Sequence, residues 1–379
     1  MAKNLKVKVG SVELKTPLLL ASGHITENAD FYLKAEDCAG MVTRSLKEVP
    51  PPERKNTPSP RYVVFDNGHS MLNCEWGNSI PWTYWRDTGV PAVKGVGGAM
   101  IISLSGRDIE SCCRLIKEFN QLDIDAYEIN ISCSHSGAIH GNLNIDFEHM
   151  TELFKAIRPL TEKPIWIKLS YSSFLIDMAK TAEQLGADAI VCTNSIGPGL
   201  FIDTKTATPR LGIMGGAGGV TGRAIFPIAL NCVYKLAQAV KIPIIGSGGI
   251  TTGDDVVQMM MAGASAVQLY TEPALNGPLA FSVIASALQE YLDEQGVELE
   301  DIVGAALHKR DAHCFEQRTP VLDESACCGC GRCTVICDFD AIMVECGQKA
   351  HILPDKCVGC SACISICPTK SLAFPERSD

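Results

Sequence analysis

The chain has 379 residues and a mass of 40.7 kDa, enough for one large domain plus a small one, or two of middle size. Hydrophobic residues make up 46% and charged residues 20%, which supplies a sizeable core and excludes general disorder. With 33 Lys and Arg against 43 Asp and Glu the formal net charge is −10, a poor balance for holding nucleic acid non-specifically.

The opening MAKNLKVKVG has no apolar core of a secretory signal. No apolar run reaches the length of a membrane span, so a cytoplasmic protein without a membrane partner is expected. LKVKVGSVELKTPL (5–18) alternates around Gly-Ser and predicts a hairpin. Eight strands are then predicted, at 17–23 (PLLLASG), 40–45, 99–106, 126–133, 164–170, 189–195, 243–249 and 266–272. Each is almost continuously apolar, as parallel strands covered on both faces are. Helical periodicity fills the gaps at 110–122, 174–186 and 256–264.

This alternation predicts an α/β fold. The preferred form is a (β/α)₈ TIM barrel, because chemistry-bearing residues stand at the C-terminal ends of most strands; a doubly wound open sheet is the competitor. The expected division is a barrel over 1–310 and a linker with a small α+β domain over 311–379. The hairpin is expected under the barrel. The Pro-rich stretch 47–62 is expected to be irregular, 195–222 to be a long loop, and 308–325 to be a polar linker.

Ten of the 18 cysteines fall between Cys327 and Cys367. Cys327, Cys330, Cys333 and Cys337 make a C-x2-C-x2-C-x3-C run, and Cys357, Cys360, Cys363 and Cys367 repeat it thirty residues later. This is the spacing of bacterial ferredoxins with two [4Fe–4S] clusters, in which the fourth cysteine of each run ligates the other cluster. One set is therefore Cys327, Cys330, Cys333 and Cys367. The other is Cys357, Cys360, Cys363 and Cys337. A zinc module would use paired C-x2-C knuckles instead. Asp338 stands where ferredoxins usually have proline, and Cys328 and Cys346 are extra.

GSGGITTGDD (246–255) follows a strand and opens a helix, a geometry that lets backbone approach a phosphate at a helix N-terminus. In barrels, phosphate sites follow strands seven and eight. Together with ASG at 21–23, VTRS at 42–45, SMLN at 70–73, EINISCSH at 128–135, IKLS at 167–170, CTNS at 192–195, GGVTGRAIFPIAL at 218–230 and QLYT at 268–271, the chain resembles the dihydroorotate dehydrogenase-like family of FMN barrels. Within it the pattern is most similar to the dihydropyrimidine dehydrogenases, in particular the flavin-and-cluster subunit of the bacterial two-subunit NAD-dependent enzymes.

The resemblance implies roles. Ala21, Ser22 and Lys168 match positions at the flavin ring and ribityl chain. Gly222, Gly248, Gly249, Tyr270 and Thr271 match ribityl and phosphate contacts. Lys168 has a physical reason as well, since a cation beside the flavin stabilises charge on the reduced ring. Cys133 matches the catalytic acid/base, because hydride delivery to one carbon of a C=C needs a proton at the other. Asn73, Asn130, Asn194 and Ser195 match positions that hold a pyrimidine. Each asparagine amide offers both a donor and an acceptor.

Arg44 stands where the family usually has a flavin-contacting lysine, and Ser134 where it has proline. His135 matches the dihydropyrimidine enzymes. The expected activity is reduction of the 5,6 double bond of uracil or thymine, or its reverse. The alternatives are a dihydroorotate dehydrogenase-like or other enone reductase, a dihydrouridine-synthase-type RNA modifier, and a non-catalytic electron relay. The chain contains no GxGxxG nicotinamide-binding unit. The expected partner is thus an FAD/NAD(P)H-binding subunit or a soluble ferredoxin, in a homodimer or hetero-oligomer.

Overall fold

The computed structural model describes residues 3–48, 59–74, 80–131, 147–308, 318–345 and 347–375. The chain divides into two compact units, Met1–Lys309 and Arg310–Asp379.

In the first unit, strands β1 (Val7–Val9) and β2 (Val12–Leu14) pair antiparallel as the predicted hairpin. Eight parallel strands close a barrel: β3 (Leu18–Leu20), β4 (Gly40–Val42), β7 (Ala99–Ser105), β8 (Ala126–Asn130), β9 (Ile165–Leu169), β10 (Ala189–Cys192), β15 (Ile244–Ser247) and β16 (Ala264–Leu269). They follow one another in chain order around the barrel, and β16 pairs back onto β3. All eight predicted strands are present, trimmed at their ends. Helices cross between them, among them α1 (Val90–Gly95), α2 (Ile109–Phe119), α3 (Phe147–Ile157), α4 (Leu175–Gln184), α5 (Phe226–Ala239), α6 (Gly253–Met261), α7 (Thr271–Asn276) and α8 (Ala280–Gln295).

Period-two alternation splits the strand residues into two cores. Leu18, Leu20, Met41, Ile102 and Ile129 point outward to the helices. Leu19, Val42, Ala99, Trp166 and Val191 point inward and meet Val9, Val12 and Leu14 of the hairpin, which closes the N-terminal end of the barrel. The interior is packed and apolar at that end, so the space for chemistry lies at the other.

The stretch 195–222 is not a loop. It holds β11 (Ile196–Leu200), a small β12 (Ile202–Asp203) and β13 (Thr208–Pro209) ladder, and β14 (Ala217–Gly222). With β5 (Tyr62–Phe65) and β6 (Ser70–Asn73), strands β11 and β14 form a four-stranded antiparallel sheet in the order β11-β14-β6-β5. IGPGL and AGGVTG carry no alternating apolar pattern. β11 pairs with β14, and β14 finds a distant partner in β6, with Gly219 opposite Asn73 and Gly222 opposite Ser70. Of the Pro-rich stretch, residues 49–58 lie outside the described residues, and its end enters β5.

The second unit has two small ladders, β17 (Val321–Leu322) with β20 (Leu372–Ala373) and β18 (Ile342–Met343) with β19 (His351–Ile352), and two short helices, α9 (Arg332–Val335) and α10 (Ala362–Ile366). Part of the expected linker is thus strand β17. The backbone repeats at the spacing of thirty. Left-handed residues recur at Gly329 and Gly359, Gly331 and Ser361, and Asp340 and Lys370. Its core is Cys327, Cys333, Ile342, Ala350, Cys363 and Leu372, half of it cysteine. A core this small needs covalent or metal staples to hold a unit of this size.

Candidate flavin site and cysteine centres

The last inward position of almost every barrel strand, or the residue just beyond it, is polar. Arg44, Ser103, Glu128, Lys168, Thr193, Ser247 and Gln268 are all buried there. Two groups are wired together. In the deeper one, Lys168 Nζ donates to Gln268 Oε1 at 3.0 Å and lies 3.5 Å from Glu128 Oε1. Gln268 Nε2 donates to Glu128 Oε2 at 2.8 Å, so β8, β9 and β16 are tied by one charge pair and one amide. Glu128 is 0% exposed and Lys168 4%. At that burial each charge requires the other.

The second group runs along the rim. Ser103 Oγ and Ser45 Oγ are 3.0 Å apart, Asn130 Nδ2 donates to Ser45 Oγ at 3.1 Å, and Asn194 Nδ2 donates to Asn130 Oδ1 at 3.2 Å. The Ser195 amide donates to Asn194 Oδ1 at 2.8 Å.

A cavity of about 480 Å³ opens at this end. Ala21, Ser22, Lys168, Asn194, Ser195, Gly222, Gly248, Gly249, Tyr270 and Thr271 all line it, joined by Thr193, Thr221, Ile225, Ser247 and Gln268.

The glycines are there because side chains cannot be. A Cβ on Gly222 (φ +86) would come 2.4 Å from His69 O. One on Gly249 (φ +76) would meet Phe226 N at 2.7 Å. Both positions need the left-handed region and a bare backbone. The residues would fit FMN: a lysine for the ring, hydroxyls of Ser22, Thr221 and Ser247 for the ribityl chain, and bare backbone at Gly248 and Gly249 for phosphate.

The start of α6 departs from expectation in one respect. The N-terminus of α6 is already occupied. Asp255 Oδ2 accepts from the Thr251 amide at 2.9 Å, the Thr252 amide at 3.0 Å and Thr251 Oγ1 at 3.0 Å, and Arg223 Nη1 reaches Oδ1 at 2.5 Å. Thr252 returns a cap to the Asp255 amide at 3.1 Å. The Thr251, Thr252 and Asp255 amides at this helix start are thus already paired within the chain.

Burial alone would raise the Asp255 carboxyl, but the bonds from Thr251, Arg223 and Thr252 together hold it below its ordinary 3.8. Asp255→Asn is therefore expected to cost about 1–3 kcal/mol at neutral pH. A depressed folded-state value gives stability that is full above the unfolded value and lost below it. The gap between wild type and variant in urea unfolding should close as pH falls below about 3.8. A gap constant with pH would contradict this.

The remaining sequence-derived positions are distributed as follows. Arg44 is buried at the rim after β4, its Nη1 3.0 Å from Oε1 of the half-buried Glu27; it is not among the cavity-lining residues. Asn130 joins Asn194 directly. Asn73 is on the antiparallel sheet, its Nδ2 3.4 Å from Gly219 O, two strands from β11. Cys133, with Ser134 and His135, lies outside the described residues. Glu128 and Gln268 were missed by sequence reading. Their signal was a long polar side chain inside each of the otherwise mostly apolar strands AYEIN and ASAVQL.

The other barrel thiols are packing groups. Cys38 and Cys112 are buried, and burial pushes both up to about 12. Cys192 and Cys232 touch, the contact with Cys232 raising Cys192.

In the second unit the eight predicted cysteines sort into two cavities. Cys327, Cys330, Cys333 and Cys367 line one of about 310 Å³. Cys337, Cys357, Cys360 and Cys363 line one of about 330 Å³. Each set takes its fourth cysteine from the other run, as the spacing predicted. The thiols surround a space and do not converge on a point: among the described residues no three His, Cys, Asp or Glu side chains gather closely enough for a single ion. The Ser371 hydroxyl, 3.2 Å away, pulls the Cys367 thiol down to about 7, toward the thiolate that a metal ligand must be.

A closed barrel with a buried lysine under a Gly-lined cavity, carrying a two-run cysteine unit, defines a flavin-type oxidoreductase with an iron–sulfur domain. The matches agree: the dihydroorotate dehydrogenase family matches residues 4–292 and the 4Fe-4S binding domain residues 350–372. The chain belongs to the dihydroorotate dehydrogenase family, whose barrels use FMN. It is 32% identical over 312 residues to the dihydroorotate dehydrogenase B (NAD(+)) catalytic subunit of Geotalea uraniireducens, covering 80% of this chain and 98% of the relative. The proteins of that name from Alkaliphilus metalliredigens and Geobacter sulfurreducens are each 32% identical, over 306 and 310 residues, with the same coverage. These relatives carry the dihydroorotate name, where the sequence reading put the dihydropyrimidine dehydrogenases first. They are spanned almost whole, so about a fifth of this chain has no counterpart in them. Among the described residues no helix is long and apolar enough to cross a membrane.

Proposed function

We propose that the barrel binds FMN and dehydrogenates the C5–C6 bond of a dihydropyrimidine, with dihydroorotate as the first-choice substrate, or runs the reverse. The observation that carries this is the Asn130–Asn194 pair with Ser195, two of the three lining the cavity above Lys168. Uncharged amides match the alternating N–H and C=O edge of such a ring. FMN, when bound, supplies the two-electron acceptor. Lys168 stabilises the charge that develops on it, and Glu128 and Gln268 hold Lys168 in place. Cys133 takes the proton from C5 as the C6 hydrogen leaves as hydride, so that two C–H bonds break and one C=C forms.

Two [4Fe–4S] clusters, one in each four-cysteine cavity, would pass the electrons one at a time. The relatives are named as catalytic subunits of NAD(+) enzymes, which supports a nicotinamide-handling partner subunit for this chain as well. Their lack of a counterpart to a fifth of the chain fits a tail that takes over part of the electron transfer.

A second reading, a ring without a carboxylate such as dihydrouracil, is favoured by Glu27. A substrate carboxylate approaching Arg44 must share it with Glu27. The test is anaerobic titration of the loaded protein with dihydroorotate and with dihydrouracil, followed by flavin absorbance. Dihydroorotate is expected to bleach the flavin. Bleaching by dihydrouracil alone selects the second reading, and bleaching by neither removes the pyrimidine assignment.

A further inference from the structure

We propose that Glu128 is a positioning residue that sets the reduction potential of the bound flavin: its carboxylate lies beneath Lys168 and offsets part of that cation's pull on the reduced ring. This rests on the reading that the cavity binds FMN beside Lys168.

The order of the side chains follows from strand register. Asn130 of β8 stands opposite Lys168 of β9, and Glu128 opposite Trp166. Side chains two residues apart on a strand share a face, so Glu128 lies one inward layer below Asn130 and Lys168, toward the end that the hairpin closes. Lys168 and Gln268 line the cavity, and Glu128 is not among the lining residues. The cation therefore meets the ligand space directly, while the carboxylate acts from behind it, 3.5 Å away.

The bonding fixes this arrangement. Gln268 accepts from Lys168 through Oε1 and donates to Glu128 through Nε2, so its amide has one orientation. Glu128 Oε2 takes that hydrogen bond. Glu128 Oε1 is buried, and among the described residues it accepts no hydrogen bond; it faces Lys168 as charge alone.

A cation beside the ring stabilises the negative charge of the reduced form and raises its potential. An opposite charge behind the cation subtracts from that effect, and salt screens buried charges little. With Lys168 uncompensated, electrons would be held on the flavin. With Glu128 in place, a pair of electrons taken from substrate can leave one at a time for carriers of lower potential.

The experiment is a redox titration of the flavin in the intact loaded chain, with cluster signals read separately by electron paramagnetic resonance. It is run at mildly acid pH, which keeps the Lys168 ammonium protonated. Glu128→Gln has nearly the same shape and can keep the bond from Gln268, and Oε1 has no hydrogen bond to lose, so charge is the main change. The flavin potential of this variant should move above that of wild type. Glu128→Asp keeps the charge but draws it back by one methylene. Its potential should also rise, by less, and it carries the test by itself if the Gln variant does not load. A flavin potential at or below the wild-type value in Glu128→Gln, or in Glu128→Asp where only that variant loads, overturns the proposal. Wild-type chain that takes up no FMN on reconstitution instead refutes the reading on which it rests.

Discussion

Lys168→Ala is expected to leave a chain that its substrate reduces only slowly at the flavin and that unfolds more easily. Two effects combine. Removing a preorganised cation from beside the developing charge should lower the rate of flavin reduction by about 10²–10³-fold, the usual loss for one such donor. Removing the partner of Glu128, which is fully buried, leaves an uncompensated carboxylate and should cost about 3–5 kcal/mol. The effects can be separated. In the double variant Lys168→Met, Glu128→Gln no buried charge remains, so stability to urea should recover while flavin reduction stays slow. Recovery of both would make Lys168 a structural partner of Glu128 only. Loss of neither in Lys168→Ala would remove it from the site altogether.

Cys133→Ala should retain flavin and clusters and lose turnover by about 10²–10⁴-fold, the contribution of a positioned acid or base. Cys133 follows by three residues Asn130, whose amide is joined to Asn194 at the cavity rim. The control is dithionite, which delivers electrons without needing a proton from the protein. Flavin reduction by dithionite should be unchanged in the variant while reduction by dihydropyrimidine collapses. Equal turnover in variant and wild type would move the proton to another group, His135 first.

The barrel was legible because its strands are buried on both faces and announce themselves as short apolar runs. The cysteine sets were legible for a different reason: three of four ligands in each centre are neighbours in sequence, so spacing alone encodes them. The antiparallel sheet was not. Strands β11 and β14 are rich in glycine; among the described residues β11 pairs only with β14, and β14 owes its other edge to β6, more than a hundred residues earlier in the chain. Glu128 and Gln268 were hidden by the same distance. They are 140 residues apart, and each is only a polar letter in a mostly apolar strand until barrel closure sets β8, β9 and β16 around a common interior. The Gly-rich turn after β15 pointed correctly to the cavity but not to the atoms. Thr251, Thr252 and Asp255 satisfy the end of α6 among themselves, and sequence alone does not say which amides a capping carboxylate takes.

The most direct test of the whole account is rapid anaerobic mixing of the loaded protein with dihydroorotate, following flavin and cluster absorbance in a single turnover. The account predicts that the flavin bleaches first and that the cluster band falls afterwards as electrons leave for the tail. A flavin that stays oxidised in the presence of dihydroorotate and dihydrouracil, in protein that dithionite reduces fully, would contradict it.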